Sequence, residues 1–161
     1  VQVTLITTSQ TEIAIVANDF SKTLGIEPRV AMLSFSNFGS TPHPVTKKVA
    51  DAVAKVNDRR PDIVIDGEMQ ADTAVVERII EERYPFSNVK GANVLVFPNL
   101  GAANIAYKLL ARLSDATAIG PILLGTGAPI HVLQAGDDVE EIVAITAVAA
   151  MDAQSRSSRG Y

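Results

Sequence analysis

The sequence predicts an α/β fold, a three-layer αβα sandwich with a mostly parallel sheet, on three observations. Apolar runs of strand character alternate along the whole chain with segments of helical spacing, the pattern of parallel strands joined by crossover helices. The length of 161 residues suits one compact domain or half of a two-lobed enzyme. At 47% hydrophobic and 20% charged, the composition is that of an ordinary globular chain, which excludes disordered and collagen-like proteins.

Val1, Val3 and Leu5 alternate as a strand does. Ser9 and Glu12 stand at capping-box spacing, and Ile13, Val16, Phe20 and Leu24 continue at helical spacing up to Gly25, a suitable stop. Residues 30–35 read as a buried strand and 45–56 as a helix with Val45, Val49, Val53 and Val56 on one face. Pro61 punctuates before a strand at 63–65, and a helical pattern over 74–84 stops at Pro85. A strand at 94–97 precedes a helix from about 102 to 113 carrying Ile105, Leu109 and Leu113. Strands at 118–124 and 130–133 complete the set, and Asp137 with Glu140 repeats the capping-box spacing for a last helix through Met151. Residues 152–161, rich in Ser and Arg, are expected to form a flexible tail, leaving 1–151 as a single lobe.

Several function classes fall away. Without cysteine there is no disulfide scaffold, thiolate zinc site or cysteine nucleophile. Fourteen Lys and Arg against 18 Asp and Glu leave a net charge of −4, which gives no broad footprint for nucleic acid. No apolar stretch is long enough to span a bilayer, so no membrane partner is expected. The chain opens on Val1 without a leader pattern, which leads to the expectation of a cytoplasmic protein taken from a longer polypeptide. His43, between Pro42 and Pro44, and His131, in an apolar run, lack zinc spacing or a neighbouring nucleophile pattern, so structural roles are expected for both.

In a parallel sheet, ligands sit beyond the carboxyl ends of the strands. That rule selects the loops 34–41, 66–72, 98–104 and 125–129. The run Ser34-Phe35-Ser36-Asn37-Phe38-Gly39-Ser40 either cradles a phosphate with hydroxyls and backbone amides or simply makes a turn and caps the next helix. It is not a P-loop, since the Lys-Ser/Thr ending is missing. Asp66, Glu68 and Asp72 could divide acid and base roles or hold a hard cation; alternatively Asp72 caps a helix and Glu68 is solvated. Asn99 and Asn104 flank a helix start rich in small residues, which suits either a ligand or close helix packing. Gly125-Thr126-Gly127 is what any tight connection would use.

Read together, the loops resemble a known family. The run from Arg29 to Ser40, Asp66-Gly67-Glu68-Met69-Gln70-Ala71-Asp72, Phe97-Pro98-Asn99-Leu100 with Asn104-Ile105-Ala106-Tyr107-Lys108, and Ile119-Gly120-Pro121-Ile122 are similar to the phosphate acetyltransferase/butyryltransferase family over nearly the whole chain from Gly25 to Gln154. The resemblance implies the second half of a two-lobed domain, similar in fold to the isocitrate/isopropylmalate dehydrogenase type, with acyl-CoA in the cleft between lobes. It implies an acyl-CoA or phosphate site at Ser34, Ser36, Asn37, Gly39, Ser40, Asp66, Glu68, Gln70, Asn99, Asn104, Gln134 and Gly136. Phosphates would be met by backbone amides and a few cations such as Lys47 or Lys108.

Two departures from the family pattern bear on activity. Acetyl-transferring members carry Ser-Arg-Gly before the last long helix, whereas this chain reads Gln134-Ala135-Gly136 and so lacks the guanidinium that would hold phosphate bidentately. The position of the family's proposed carboxylate base falls on Glu141, one methylene longer than the usual Asp. The other departure lies near residues 7–10, where an excursion usual in the family is absent. Asn37-Phe38 and Ile130-His131-Val132-Leu133-Gln134 are similar to the version of the domain at the C-terminus of bacterial NADP-dependent malic enzymes. That likeness implies an acetyl-CoA-sensing regulatory and assembly module, its partners being a second copy, a missing N-terminal lobe and a malate-decarboxylating region with NADP and a divalent metal. No cofactor resident in this chain is implied. An active acyltransferase lobe and a purely structural dimerisation domain are the alternatives.

Overall fold

A computed structural model describes residues 9–114 and 117–158. The strand expected at Val1, Val3 and Leu5 lies outside them.

Among the described residues three parallel strands form the sheet, in the order β2-β1-β3, with β1 at Val30–Leu33, β2 at Ile65–Met69 and β3 at Val94–Val96. Side chains alternate across β1 and are buried on both faces, as a central parallel strand requires. On one face, Val30, Met32, Ile65, Val94 and Val96 pack with Ala14 and Ala17 of α1 (Gln10–Thr23) and Val49, Val53 and Val56 of α2 (Pro44–Arg59). On the other, Ala31, Leu33 and Met69 pack with Ala74 of α3 (Ala71–Val75), Ile80 of α4 (Glu77–Arg83) and Val89.

From α1, Ala14 and Ala17 lie in the sheet cluster with half-buried Ile13 packed against it, while Phe20 is buried outside that cluster and Val16 and Leu24 are only half-buried. Alanine lets this helix lie close to its neighbours, so small residues take the buried stripe. Gly25, at φ 72, closes the helix as expected. Ser9 occupies the N-cap, but the side-chain capping bond of the expected box does not form. In α2, Val45 is exposed and Thr46 takes its place on the buried face. The cap there is His43, whose Nδ1 accepts from the amide of Val45 at 3.2 Å while its own amide donates to Thr46 Oγ1 at 3.1 Å; this is the structural role expected of it.

Several boundaries differ from expectation. β1 ends at Leu33 rather than residue 35, and β2 starts at Ile65, where the predicted strand ended, and runs through Asp66-Gly67-Glu68-Met69. Polar content in those positions hides the strand from a hydrophobic pattern. The predicted helix over 74–84 is two, broken at Val76 in extended conformation. Residues 118–124 and 130–133 form no strand among the described residues. Pro121 removes a ladder donor from the first, and an apolar run becomes a strand only where an edge receives it.

Two further helices follow among the described residues. α5 (Leu100–Leu113) starts earlier than expected because Asn99 caps it, its Oδ1 accepting from Ala102 N at 2.9 Å. The last, α6 (Val139–Ser158), is capped one residue later than expected: Asp138 Oδ1 accepts from Glu141 N and Glu141 Oε2 from Asp138 N, both at 2.9 Å. It runs past Met151 to Ser158, inside the segment 152–161 expected as a flexible tail. Buried Asp152 accepts there from Arg156 Nε at 2.9 Å, Arg156 Nη1 donates to Thr126 O at 2.7 Å, and His131 Nε2 stands 3.6 Å from Asp152. Among the described residues no helix is long and apolar enough to cross a membrane.

Candidate functional site

All three strands end on the same edge, so the segments after Leu33, Met69 and Val96 are gathered there as the parallel topology requires. The loop 34–40 leaves the central strand and folds over the end of β2. Its backbone is fastened by Ser34 N donating to Met69 O at 2.9 Å and Phe38 N to Glu68 O at 2.8 Å. Phe38 is held at φ 49, an uncommon conformation for a residue with a side chain. Its ring packs 5.0 Å from both Tyr84 and Phe86 between centroids.

Inside the loop sits a carboxylate. Glu68, 3% exposed, accepts through Oε1 from Ser36 Oγ at 2.9 Å and from Gly39 N at 2.6 Å. Ser36 is fully buried and its Oγ in turn accepts from Thr41 N at 3.0 Å. Ser40 Oγ lies 3.2 Å from Ser36 Oγ and accepts from Asn37 N at 3.0 Å. Asn37 Oδ1 accepts from Gln70 N at 2.8 Å, and Gln70 Nε2 donates to Phe35 O at 2.9 Å. Thus Ser36, Asn37, Gly39, Ser40, Glu68 and Gln70 are brought together. The Ser36 hydroxyl and the Gly39 amide, however, serve the protein rather than an open cradle.

The neighbourhood of Gly67 explains how Glu68 gets there. At φ 142, a Cβ on Gly67 would stand 2.6 Å from Met32 O, so only glycine permits this approach of β2 to β1. The ladder pairs Met32 with Gly67 and Leu33 with Met69, which leaves Glu68 as the extra residue of a bulge. Bulges re-aim side chains.

Ser34 is different. Its Oγ is buried and has no hydrogen-bond partner among the described residues, at the carboxyl end of the central strand. A second orphan lies near β3: Gln10, 7% exposed, donates through Nε2 to Pro98 O at 3.2 Å and Phe97 O at 3.4 Å while its Oε1 has no partner. Nothing in its helical-spacing pattern marked Gln10 out, because it binds backbone carbonyls far along the chain.

The remaining expected site residues disperse. Asp66 Oδ1 accepts from Gly67 N at 2.9 Å, and Asp72 Oδ1 from Thr73 N at 2.9 Å in the first turn of α3, so neither joins Glu68 and Asp72 is not the cap. Among the described residues no cluster of three or more acidic or histidine side chains could hold a metal ion. Asn99 caps α5 and Asn104 is exposed on that helix. Gln134, exposed, donates to Gly120 O at 3.3 Å, Gly136 sits at φ 103, and Glu141 closes the cap of α6. Lys47 pairs with Asp51 at 2.8 Å, and Lys108 lies over the Tyr107 ring. Among the described residues the large carboxylate perturbation is elsewhere: Asp62 is lowered to about 2 by its hydrogen bond to Arg60.

The phosphate acetyl/butaryl transferase family matches residues 7–150, which is most of the chain. The chain belongs to that family. A phosphate acetyltransferase of Thermoanaerobacterium thermosaccharolyticum is 49% identical over 139 residues, 86% of this chain and 42% of that protein. An NADP-dependent malic enzyme of Escherichia coli is 45% identical over 147 residues, 90% of this chain and 19% of the enzyme. The chain therefore spans less than half the length of these relatives. A phosphotransacetylase from Streptococcus pyogenes superposes with TM-score 0.85 at 39% identity, over 91% of this chain and 45% of that one. The parallel topology makes the loop around Glu68, at the carboxyl edge of the sheet, the candidate ligand-binding edge.

Proposed function

We propose that this chain is the acyl-CoA-holding lobe of a phosphotransacetylase-type domain, which with its other lobe exchanges phosphate and CoA on an acyl group. The observation that carries the reading is the fastened loop 34–40 at the carboxyl edge of the sheet, with the buried Ser34 hydroxyl left without a protein partner among the described residues. Likeness to a phosphotransacetylase over 91% of the chain supports it. In this reading the ligand lies along the edge, Ser34 and the Asn37 side chain meet its polar groups, and the guanidinium for phosphate comes from outside this chain. The dehydrogenase-type likeness of the two-lobed fold belongs to the same proposal. So does a second copy of the chain as partner, covering Leu109, Leu110 and Leu113, which α5 leaves more than half exposed.

A second reading is favoured by Gln134-Ala135-Gly136 and by Glu141. Ala135 offers no charge to phosphate, and Glu141 is engaged in the cap of α6. In that reading the lobe binds acetyl-CoA without turnover and regulates a malic enzyme carrying NADP and a divalent metal in another region. Incubating the full-length polypeptide with acetyl-CoA and inorganic phosphate distinguishes the two. Acetyl phosphate formation at roughly 1–1000 per second, the ordinary enzyme range, supports the transferase; saturable acetyl-CoA binding without turnover supports the sensor and overturns it.

A further inference from the structure

We infer that Glu68 is a positioning residue that sets the loop 34–40 for the uncharged pantetheine and acyl arm of the ligand, not for its phosphates. The inference rests on the acyl-CoA reading above. As the extra residue of the β2 bulge, Glu68 leaves the ladder and turns its carboxylate under the loop, where Ser36 Oγ and Gly39 N both donate to one oxygen. The ion pairs among the described residues include none to Glu68. A desolvated carboxylate met only by neutral dipoles adds little net stability. What it adds is geometry: it fixes Ser36 and Gly39, and through Ser36 the amide of Thr41.

Two consequences select the arm of the ligand. A phosphate cradle needs free backbone amides, and the Gly39 amide is already committed at 2.6 Å. A phosphate set on this loop would also face the negative charge beneath it, where low dielectric magnifies repulsion. Thioester and amide groups meet no such repulsion, and the groups left over, the Ser34 hydroxyl and the Asn37 amide nitrogen, match them.

The test is calorimetric titration of the full-length polypeptide with acetyl-CoA and with S-acetylpantetheine, unsubstituted and as E68Q and E68A, with amide hydrogen exchange at Gly39 and Thr41. E68Q keeps an acceptor at the same reach and should bind both probes within about threefold of the unsubstituted protein. E68A should weaken both probes by the same factor, about tenfold or more, the effect of losing one to two hydrogen-bonded anchors, and expose both amides to exchange. If E68A does not fold, Glu68→Asp, one methylene too short, takes its place. Loss for acetyl-CoA but not S-acetylpantetheine would place phosphates on the loop and overturn the assignment. Equal loss in E68Q and E68A would make charge rather than geometry the cause, and unchanged binding and exchange in E68A would remove the positioning role. If the unsubstituted protein binds neither probe, the acyl-CoA reading fails, while exchange at the two amides still decides what Glu68 does.

Discussion

Replacing Gly67 by alanine asks the site's sharpest question of a single atom. The added Cβ meets Met32 O at 2.6 Å and the backbone stays at φ 142, so β2 must move away from β1 or the residue must strain. We expect a loss of about 1–3 kcal/mol in denaturant unfolding together with weaker protection of the Gly39 amide, since Glu68 follows in the chain. A neutral substitution would mean that the bulge is not what aims Glu68. Residue roles of this kind were only half legible in the sequence. The hydroxyls of 34–40 announce a polar site because they follow an apolar strand. That Ser36 serves Glu68 rather than a ligand follows from burial, and burial here comes from a bulge, which no spacing encodes. The carboxylates Asp66, Glu68 and Asp72 looked alike in sequence, yet they end in three separate environments.

Elements were read where one face repeats and misread where a tertiary contact decides. The Val49, Val53 and Val56 stripe announced α2, and Gly25 announced the end of α1. The cap of α6 fell one residue from its expected place because Asp137 and Asp138 are equally good candidates and only the structure selects Asp138. Asp137 instead accepts from Gln134 N at 2.7 Å. Residues 152–161, rich in Ser and Arg, read as tail because such residues cover no core, but as far as Ser158 they are helical and Arg156 is anchored by Asp152 and Thr126. Asp152→Ala should therefore lower thermal stability by about 1.5–3 kcal/mol, the range for hydrogen bonds to a charged group, and detach the strandless segment around Thr126 and His131 from α6. A melting temperature equal to that of the unsubstituted chain would restore the view of a tail.

At the scale of the molecule, alternation of strand and helix patterns was enough to give a parallel sheet covered on both faces, and hence the edge where its loops meet. The number of strands was not, because residues 118–124 and 130–133 have strand composition but no paired edge among the described residues. Family membership was legible because four loop motifs keep their order and spacing, which packing alone has no reason to preserve. The acyl-CoA site proposed on this edge includes Ser34, whose buried hydroxyl has no protein partner among the described residues. Calorimetric titration of acetyl-CoA into the full-length polypeptide, unsubstituted and with Ser34→Ala, tests it most directly. A weakening of about 3- to 10-fold, one neutral hydrogen bond's worth, with an unchanged melting temperature is the predicted result; equal affinity in the two proteins would contradict it.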